Sequence, residues 1–252
     1  MQTVAITNQK GGVGKTTTAH ILSAGLMHRG LRVLAVDLDP QANLTFTAGL
    51  EPEAETDIYD LFKRTHPTQS AIQTVPAGFD MIPGSLGLAG ADMEFTQPGR
   101  EHILKELLEA VEGQYDYCVI DTPPTLGILT INALTAAGQA IIPMEADVYS
   151  VQGLAQLQGI IGNVRRYCNP GLSVEGLLLT RYNPRAVVSK TMTTSIEEIA
   201  KNLDTKVFAS RIRETVAIKE LHLMRGDVFS EYPKHNVTKD YAAFLDELMK
   251  EV

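Results

Sequence analysis

Short apolar, β-branched runs alternate along the chain with longer stretches of helical periodicity. The runs fall at Thr3 to Asn8, Arg32 to Asp37, Phe79 to Pro83, Tyr115 to Asp121, Gln139 to Glu145, Ser173 to Arg181 and Lys206 to Ala209. The helical patterns lie at Thr16 to Arg29, Arg100 to Glu112, Ser150 to Tyr167, Val187 to Leu203 and Lys239 to Lys250. Strands separated by helices of this length predict βαβ units in a mostly parallel sheet. The runs Val33-Leu34-Ala35-Val36 and Leu177-Leu178-Leu179 lack polar alternation, as strands buried on both faces do. The expected fold is a single α/β domain over residues 1–252, a twisted parallel sheet with helices on both faces. The segment Glu51 to Gly99, rich in Pro, Gly and Thr, is expected to be a loop-rich insertion.

Composition narrows the class. The chain has 252 residues, 44% of them hydrophobic and 21% charged, which suits a soluble globular fold with a sizeable core and excludes disorder and fibre. No apolar run approaches the roughly 18 residues that would span a bilayer. The two cysteines, Cys118 and Cys168, form no CxxC pair, and Cys118 sits in an apolar run. With no signal-peptide pattern, this predicts a reducing, cytoplasmic setting. The net charge of −8 is unevenly spread: residues 1–140 hold 8 basic against 16 acidic side chains, whereas residues 160–219 hold 10 against 5. A solvated helix face would give a similar local excess.

Directly after the first run stands Gln9-Lys10-Gly11-Gly12-Val13-Gly14-Lys15-Thr16-Thr17, which leads into a helical pattern. A Gly-rich turn between strand and helix gathers backbone N–H groups and the positive helix end around one anion, as a polyphosphate needs. Gly11, Gly12, Val13, Gly14, Lys15, Thr16 and Thr17 are the candidate phosphate cradle, with Lys15 reaching the β and γ phosphates of ATP and the Thr16 hydroxyl on Mg²⁺. Three glycines at fixed places arise by chance in roughly 3 of 10,000 windows at a glycine frequency of about 7%. The general pattern G-x-x-x-x-G-K-[ST] would need glycine at position 9, where this chain has Gln9.

Two further runs end in acids. Asp37-Leu38-Asp39-Pro40-Gln41 closes the second strand pattern, and Tyr117-Cys118-Val119-Ile120-Asp121-Thr122-Pro123-Pro124 closes another. Ligands of open α/β sheets lie outside the carboxyl ends of the strands, so these carboxylates can face a nucleotide. Asp121 has the place of a Walker B acid on Mg²⁺, and Asp37 supports Mg²⁺ through water.

The string K-G-G-V-G-K-T at Lys10–Thr16 resembles the deviant Walker A motif shared by ParA, MinD, nitrogenase iron protein and ArsA. D-x-D-P-Q, the segment Phe79 to Ser85 and D-T-P-P resemble ParA over most of the chain. In that class the first lysine, here Lys10, contacts the nucleotide of a partner subunit, so the resemblance implies an ATP-driven homodimer. It also implies slow ATP hydrolysis, with Asp39 orienting the attacking water and Lys10 and Lys15 neutralising phosphate charge. The chain resembles the short form of the family, without an N-terminal helix-turn-helix extension. Such proteins bind non-specific DNA through basic residues of the C-terminal third, here Arg185, Lys190, Lys201, Arg211, Arg213, Lys219 and Arg225, and a centromere-binding, ParB-like partner stimulates them. The implied role is segregation of plasmid or chromosomal DNA by a cytoplasmic, nucleoid-associated ATPase.

Leu178 to Pro184 instead resembles the segment of MinD that touches adenine, which makes Asn183 and Arg181 base-site candidates. The alternative function is thus a MinD-like ATPase positioning an assembly at the membrane. The last helical pattern, however, carries more acids than lysines, which anionic lipid would repel, so no membrane partner is expected. Redox or ligase chemistry on the same scaffold is a third class; neither cysteine stands beside a switch loop, as a shared iron–sulfur cluster would require.

Overall fold

The computed structural model describes residues 1–51, 54–183, 187–202 and 204–250, and the side chains at 148–149, 151–152, 187–191 and 202 fall outside that description. The strands are β1 (Gln2–Ile6), β2 (Val33–Asp37), β3 (Gln73–Thr74), β4 (Asp80–Ile82), β5 (Tyr117–Asp121), β6 (Gln139–Met144), β7 (Ser173–Tyr182) and β8 (Val207–Arg213). They form one sheet in the order β3-β4-β2-β5-β1-β6-β7-β8, parallel throughout except for the antiparallel β3–β4 pair. The α/β architecture expected from the alternating pattern is therefore present.

The described helices are α1 (Lys15–His28), α2 (Asn43–Thr47), α3 (Ile58–Phe62), α4 (Ala91–Glu94), α5 (Ile103–Glu109), α6 (Ile128–Ala136), α7 (Val148–Tyr167), α8 (Val187–Asn202), α9 (Val216–Met224), α10 (Val228–Glu231) and α11 (Asn236–Met249). Successive strand residues point to opposite faces. Ala5, Val36, Ile120 and Ile142 pack under α3, α5, α6, α7 and α8, whereas Val4, Ile6, Ala35, Val119 and Ile141 pack under α1, α9 and α11. Two cores of this kind require strands apolar on both faces, and β2 and β5 are buried at every residue.

The register places Ile6, Asp37 and Asp121 side by side, so the carboxyl ends of β1, β2 and β5 share one edge at the centre of the sheet. That shared edge positions the candidate site. At the opposite margin β8 is an edge strand, and α11 covers it: Glu247 accepts from the backbone of Ala209 at 2.7 Å and of Ser210 at 2.9 Å, and Asp240 accepts from Arg213 N at 3.2 Å.

Two expectations are corrected. The 51–99 segment, expected to be a loop-rich insertion, is built into the main core: Ile58, Leu61, Phe62, Leu88, Ala91 and Phe95 are buried there, and the Phe62 and Phe95 rings lie 5.5 Å apart. Its helices are only four or five residues long, too short to show a period. Helix α6 was absent from the sequence-based elements because most of it is buried and even its half-buried positions, Ile131 and Ala136, are apolar, so no polar face sets a period.

His20 of α1 is buried with both ring nitrogens unpartnered among the described residues, and burial lowers its pKa to about 4, with His222 adding to that shift and Asp227 opposing it. The unfolded chain takes up this proton near pH 6.5, so the folded state holds its full advantage above that pH and loses it as pH falls toward 4. The loss amounts to about 3 kcal/mol. Replacement of His20 by Leu should flatten the acid limb of stability, read as urea midpoints between pH 7 and 4.5; an unchanged limb would assign acid sensitivity elsewhere.

Candidate nucleotide site

The turn from β1 into α1 wraps the start of a cavity of about 510 Å³. Gly12 and Gly14 have φ of 77° and 85°, a region in which a side chain is strained, so glycine is needed for the loop to curl. The cavity is lined by Gly11, Gly12, Val13, Gly14, Lys15, Thr16 and Thr17, by Asp39, and by Thr180, Ile212, Ile218 and His222 from the far half of the chain. The loop is braced from β7: the Thr180 hydroxyl donates to Val13 O at 2.8 Å. Lys15 is buried, and its ammonium donates to Lys10 O at 3.1 Å, so it bridges the loop that it serves. Burial pulls its pKa down, while Asp121 and Asp39 resist that shift.

The carboxylates behind the loop divide into two kinds. Asp37 is fully buried and hydrogen-bonded through both oxygens: one accepts from Asp39 N at 3.0 Å, the other from Thr45 N at 2.9 Å and Thr45 Oγ1 at 2.8 Å. Burial pushes its pKa up to about 6 against the pull of those hydrogen bonds. The backbone of Gly84 donates to the same threonine at 2.8 Å, and a Cβ there would come within 2.9 Å of the Asp37 carboxyl carbon. Asp37 thus ties β2 to the loop after β4.

Asp121 is also fully buried, yet neither of its oxygens has a hydrogen-bond partner among the described residues. Burial, then the charge of Asp37, raises its pKa well above the carboxylate range, although Thr16 and Lys15 face it and moderate the rise. Two bare oxygens beside a threonine hydroxyl are a donor set for a hard cation such as Mg²⁺. Asp39, whose Oδ1 accepts from Gln41 N at 3.0 Å, stands nearer the opening on the cavity wall.

Lys10 points away from its own loop. Its ammonium lies 2.5 Å from Asp147, 3.3 Å from the Ser150 hydroxyl and 3.6 Å from Glu145. Asp147 also caps α7 through Ser150 N at 2.8 Å. Burial raises the Asp147 carboxyl, but Lys10 and the cap outweigh it and hold the group below its ordinary range.

The other candidates scatter. Arg181 lines the phosphate cavity and pairs with Glu145 at 3.1 Å, whereas Asn183 lines a neighbouring cavity of about 860 Å³. Arg211, Arg213 and Lys219 share that second cavity, and Arg213 is held by Asp240 at 2.7 Å. Arg225 lies apart, paired with Glu51 at 2.6 Å and stacked 4.0 Å from the Phe46 ring centre. Lys201 is exposed on α8; Arg185 and the Lys190 side chain lie outside the described residues. Sequence reasoning missed Thr45, Thr180, His222 and the Glu145–Ser150 anchor. Only the anchor had a signal, since Glu145 and Asp147 directly follow a central strand.

A loop of this form at the carboxyl edge of a parallel sheet, with buried acids on the two neighbouring strand ends, defines a phosphate-loop nucleoside-triphosphate-binding protein. A family model described as an AAA domain matches residues 1–174. The sporulation initiation inhibitor protein Soj of Bacillus subtilis is 42% identical over 220 residues, 86% of each chain. The chromosome partitioning protein ParA of Myxococcus xanthus is 35% identical over 250 residues, 98% of this chain and 87% of that one. The solved structure of cobyrinic acid a,c-diamide synthase from Mycobacterium smegmatis, with bound ATP analogue and magnesium, superposes with a TM-score of 0.87 at 32% identity and covers 100% of this chain and 95% of that one. The chain belongs to the ParA/Soj family of partitioning ATPases.

Truncating Lys15 to Ala removes the buried cation while Asp121 and Asp39 remain. ATP affinity should fall about 100-fold or more, the scale for breaking a buried charge pair. Equilibrium titration with a fluorescent ATP analogue reads this directly, and wild-type affinity would refute the phosphate-loop assignment.

Proposed function

We propose that the protein is an ATP-hydrolysing switch that dimerises on ATP, rides non-specific DNA and segregates a DNA cargo. The observation that carries the reading is the cavity itself, in which the loop, Lys15 and Asp39 face one space while the bare Asp121 oxygens lie behind it. In this reading Gly11 to Thr17 hold the phosphates through backbone N–H groups and the positive end of α1. Thr16 and Asp121 hold Mg²⁺, with Asp37 contributing through water. When bound, Mg²⁺ neutralises charge on the β and γ phosphates.

Asp39 then orients water for in-line attack, and Lys15 steadies the charge that develops. Lys10 acts in trans on the nucleotide of a second copy. Its cis anchor on Asp147, Ser150 and Glu145 must open for that to happen. The anchor is part-exposed and so modest in strength. A phosphate cluster can therefore outbid it.

Arg211, Arg213 and Lys219 share one cavity wall and supply a basic surface for DNA phosphates, with Arg185, Lys190, Lys201 and Arg225 completing the proposed set. Contacts of this kind give sequence-independent, salt-dependent binding. A ParB-like, centromere-binding partner is the proposed stimulator of hydrolysis. A second reading rests on the same cavity: its cations beside an ATP site also suit a carboxylate substrate, as in the amide-forming synthase that the fold resembles.

Duplex DNA binding measured with ATP, with ADP and without nucleotide, with anionic liposomes in parallel, separates these readings. ATP-dependent binding that weakens steeply with salt is expected. Liposome binding would favour the membrane alternative, and ATP turnover that depends on an added carboxylate would favour the synthase. Asp39→Ala should still bind ATP, hydrolyse it about 100-fold more slowly and accumulate as a dimer. Hydrolysis at the parent rate in that variant would rule out the water-orienting role.

A further inference from the structure

Far from the nucleotide, Glu101 and His102, in the short turn before α5, meet Cys168 at the end of α7. One carboxylate oxygen, one imidazole nitrogen and one thiol sulfur lie within 4.8 Å of one another there. None of the three side chains makes a hydrogen bond or ion pair with the described residues, and all are half-buried. Cys118, the other cysteine, is fully buried on β5. Cys168 is therefore the chain's accessible thiol.

The two segments are fixed to a common support. Asn132 of α6 accepts from Leu104 N at 3.0 Å and donates to Arg100 O at 2.9 Å, which frames the turn that carries Glu101 and His102. Asn169, next to Cys168, donates to Leu134 O at 3.1 Å and to Ala137 O at 2.7 Å at the carboxyl end of α6. Two asparagines thus hold the three donors against one helix before any ligand arrives.

We propose that Glu101, His102 and Cys168 form a binding site for a zinc-class divalent cation. A mixed sulfur, nitrogen and oxygen set selects a borderline-soft metal over Mg²⁺ or Ca²⁺. Bonds of about 2.0–2.3 Å in a tetrahedral sphere separate ligand atoms by roughly 3.3–3.6 Å, a contraction within reach of rotation of these three side chains. Water completes the fourth position. Binding displaces the thiol proton to solvent as the metal–sulfur bond forms, so affinity rises with pH. The metal clamps the start of α5 to the far end of α7, a helix of 20 residues whose first turn anchors Lys10, about 30 Å away.

The test uses the full chain, stripped of metal and free of nucleotide, titrated with Co²⁺ and then Zn²⁺. One Co²⁺ per chain with a thiolate-to-metal charge-transfer band is expected, displaced by Zn²⁺ and untouched by excess Mg²⁺. Cys168→Ser, a one-atom change at a half-buried position, should abolish the band and remove the Zn²⁺-induced rise in Tm. His102→Ala should weaken Zn²⁺ binding by more than about 10-fold, the least that loss of even an outer-sphere partner costs. Cobalt binding without a thiolate band, a band that survives in Cys168→Ser, or zinc affinity unchanged in His102→Ala would each overturn the site.

Discussion

Three acids and one lysine packed at the central strand ends govern this molecule. Asp37, Asp39 and Asp121 are all buried, and among the described residues Lys15 is the buried cation that faces them. A cluster of this kind is unfavourable alone, because carboxylates moved out of water need compensating charge. The fold tolerates it by two devices. Thr45 and the backbone of Asp39 hydrogen-bond both oxygens of Asp37, and burial raises the proton affinities of Asp37 and Asp121. What remains is an unfilled demand for positive charge at the point where a metal–nucleotide complex fits.

This electrostatic demand explains the arrangement around it. The parallel sheet exists to bring three strand ends to one edge, and strands apolar on both faces are what allow helices to cover them. Thr180 of β7 and Thr45 of α2 then hold the phosphate loop and the Asp37 strand end from opposite sides. Lys10 stands outside this cluster, its ammonium held by Asp147, Ser150 and Glu145.

Much of this was legible in the chain. The phosphate loop, Asp37, Asp39 and Asp121 could be read because glycine spacing and apolar runs ending in acids are local signatures. Helix α6 was invisible since even its half-buried positions, Ile131 and Ala136, are apolar, and periodicity reports only a contrast between faces. Thr45 and Thr180 could not be found because no local pattern marks their partners: Thr45 joins Asp37 to Gly84, and Thr180 donates to Val13, 167 positions away. The basic residues were the least readable. Surface charge has no fixed spacing, and Arg213 and Arg225 turn out to be paired with Asp240 and Glu51.

The carboxylates that α11 lays along β8 have a consequence for assembly. An edge strand with bare backbone groups would recruit another strand and let copies polymerise side by side. Here Glu247 and Asp240 occupy the amide hydrogens of Ala209, Ser210 and Arg213, so the sheet is closed to growth from that margin. Side-by-side polymerisation through the β8 edge is thereby blocked, because a second strand would find its docking amides already taken.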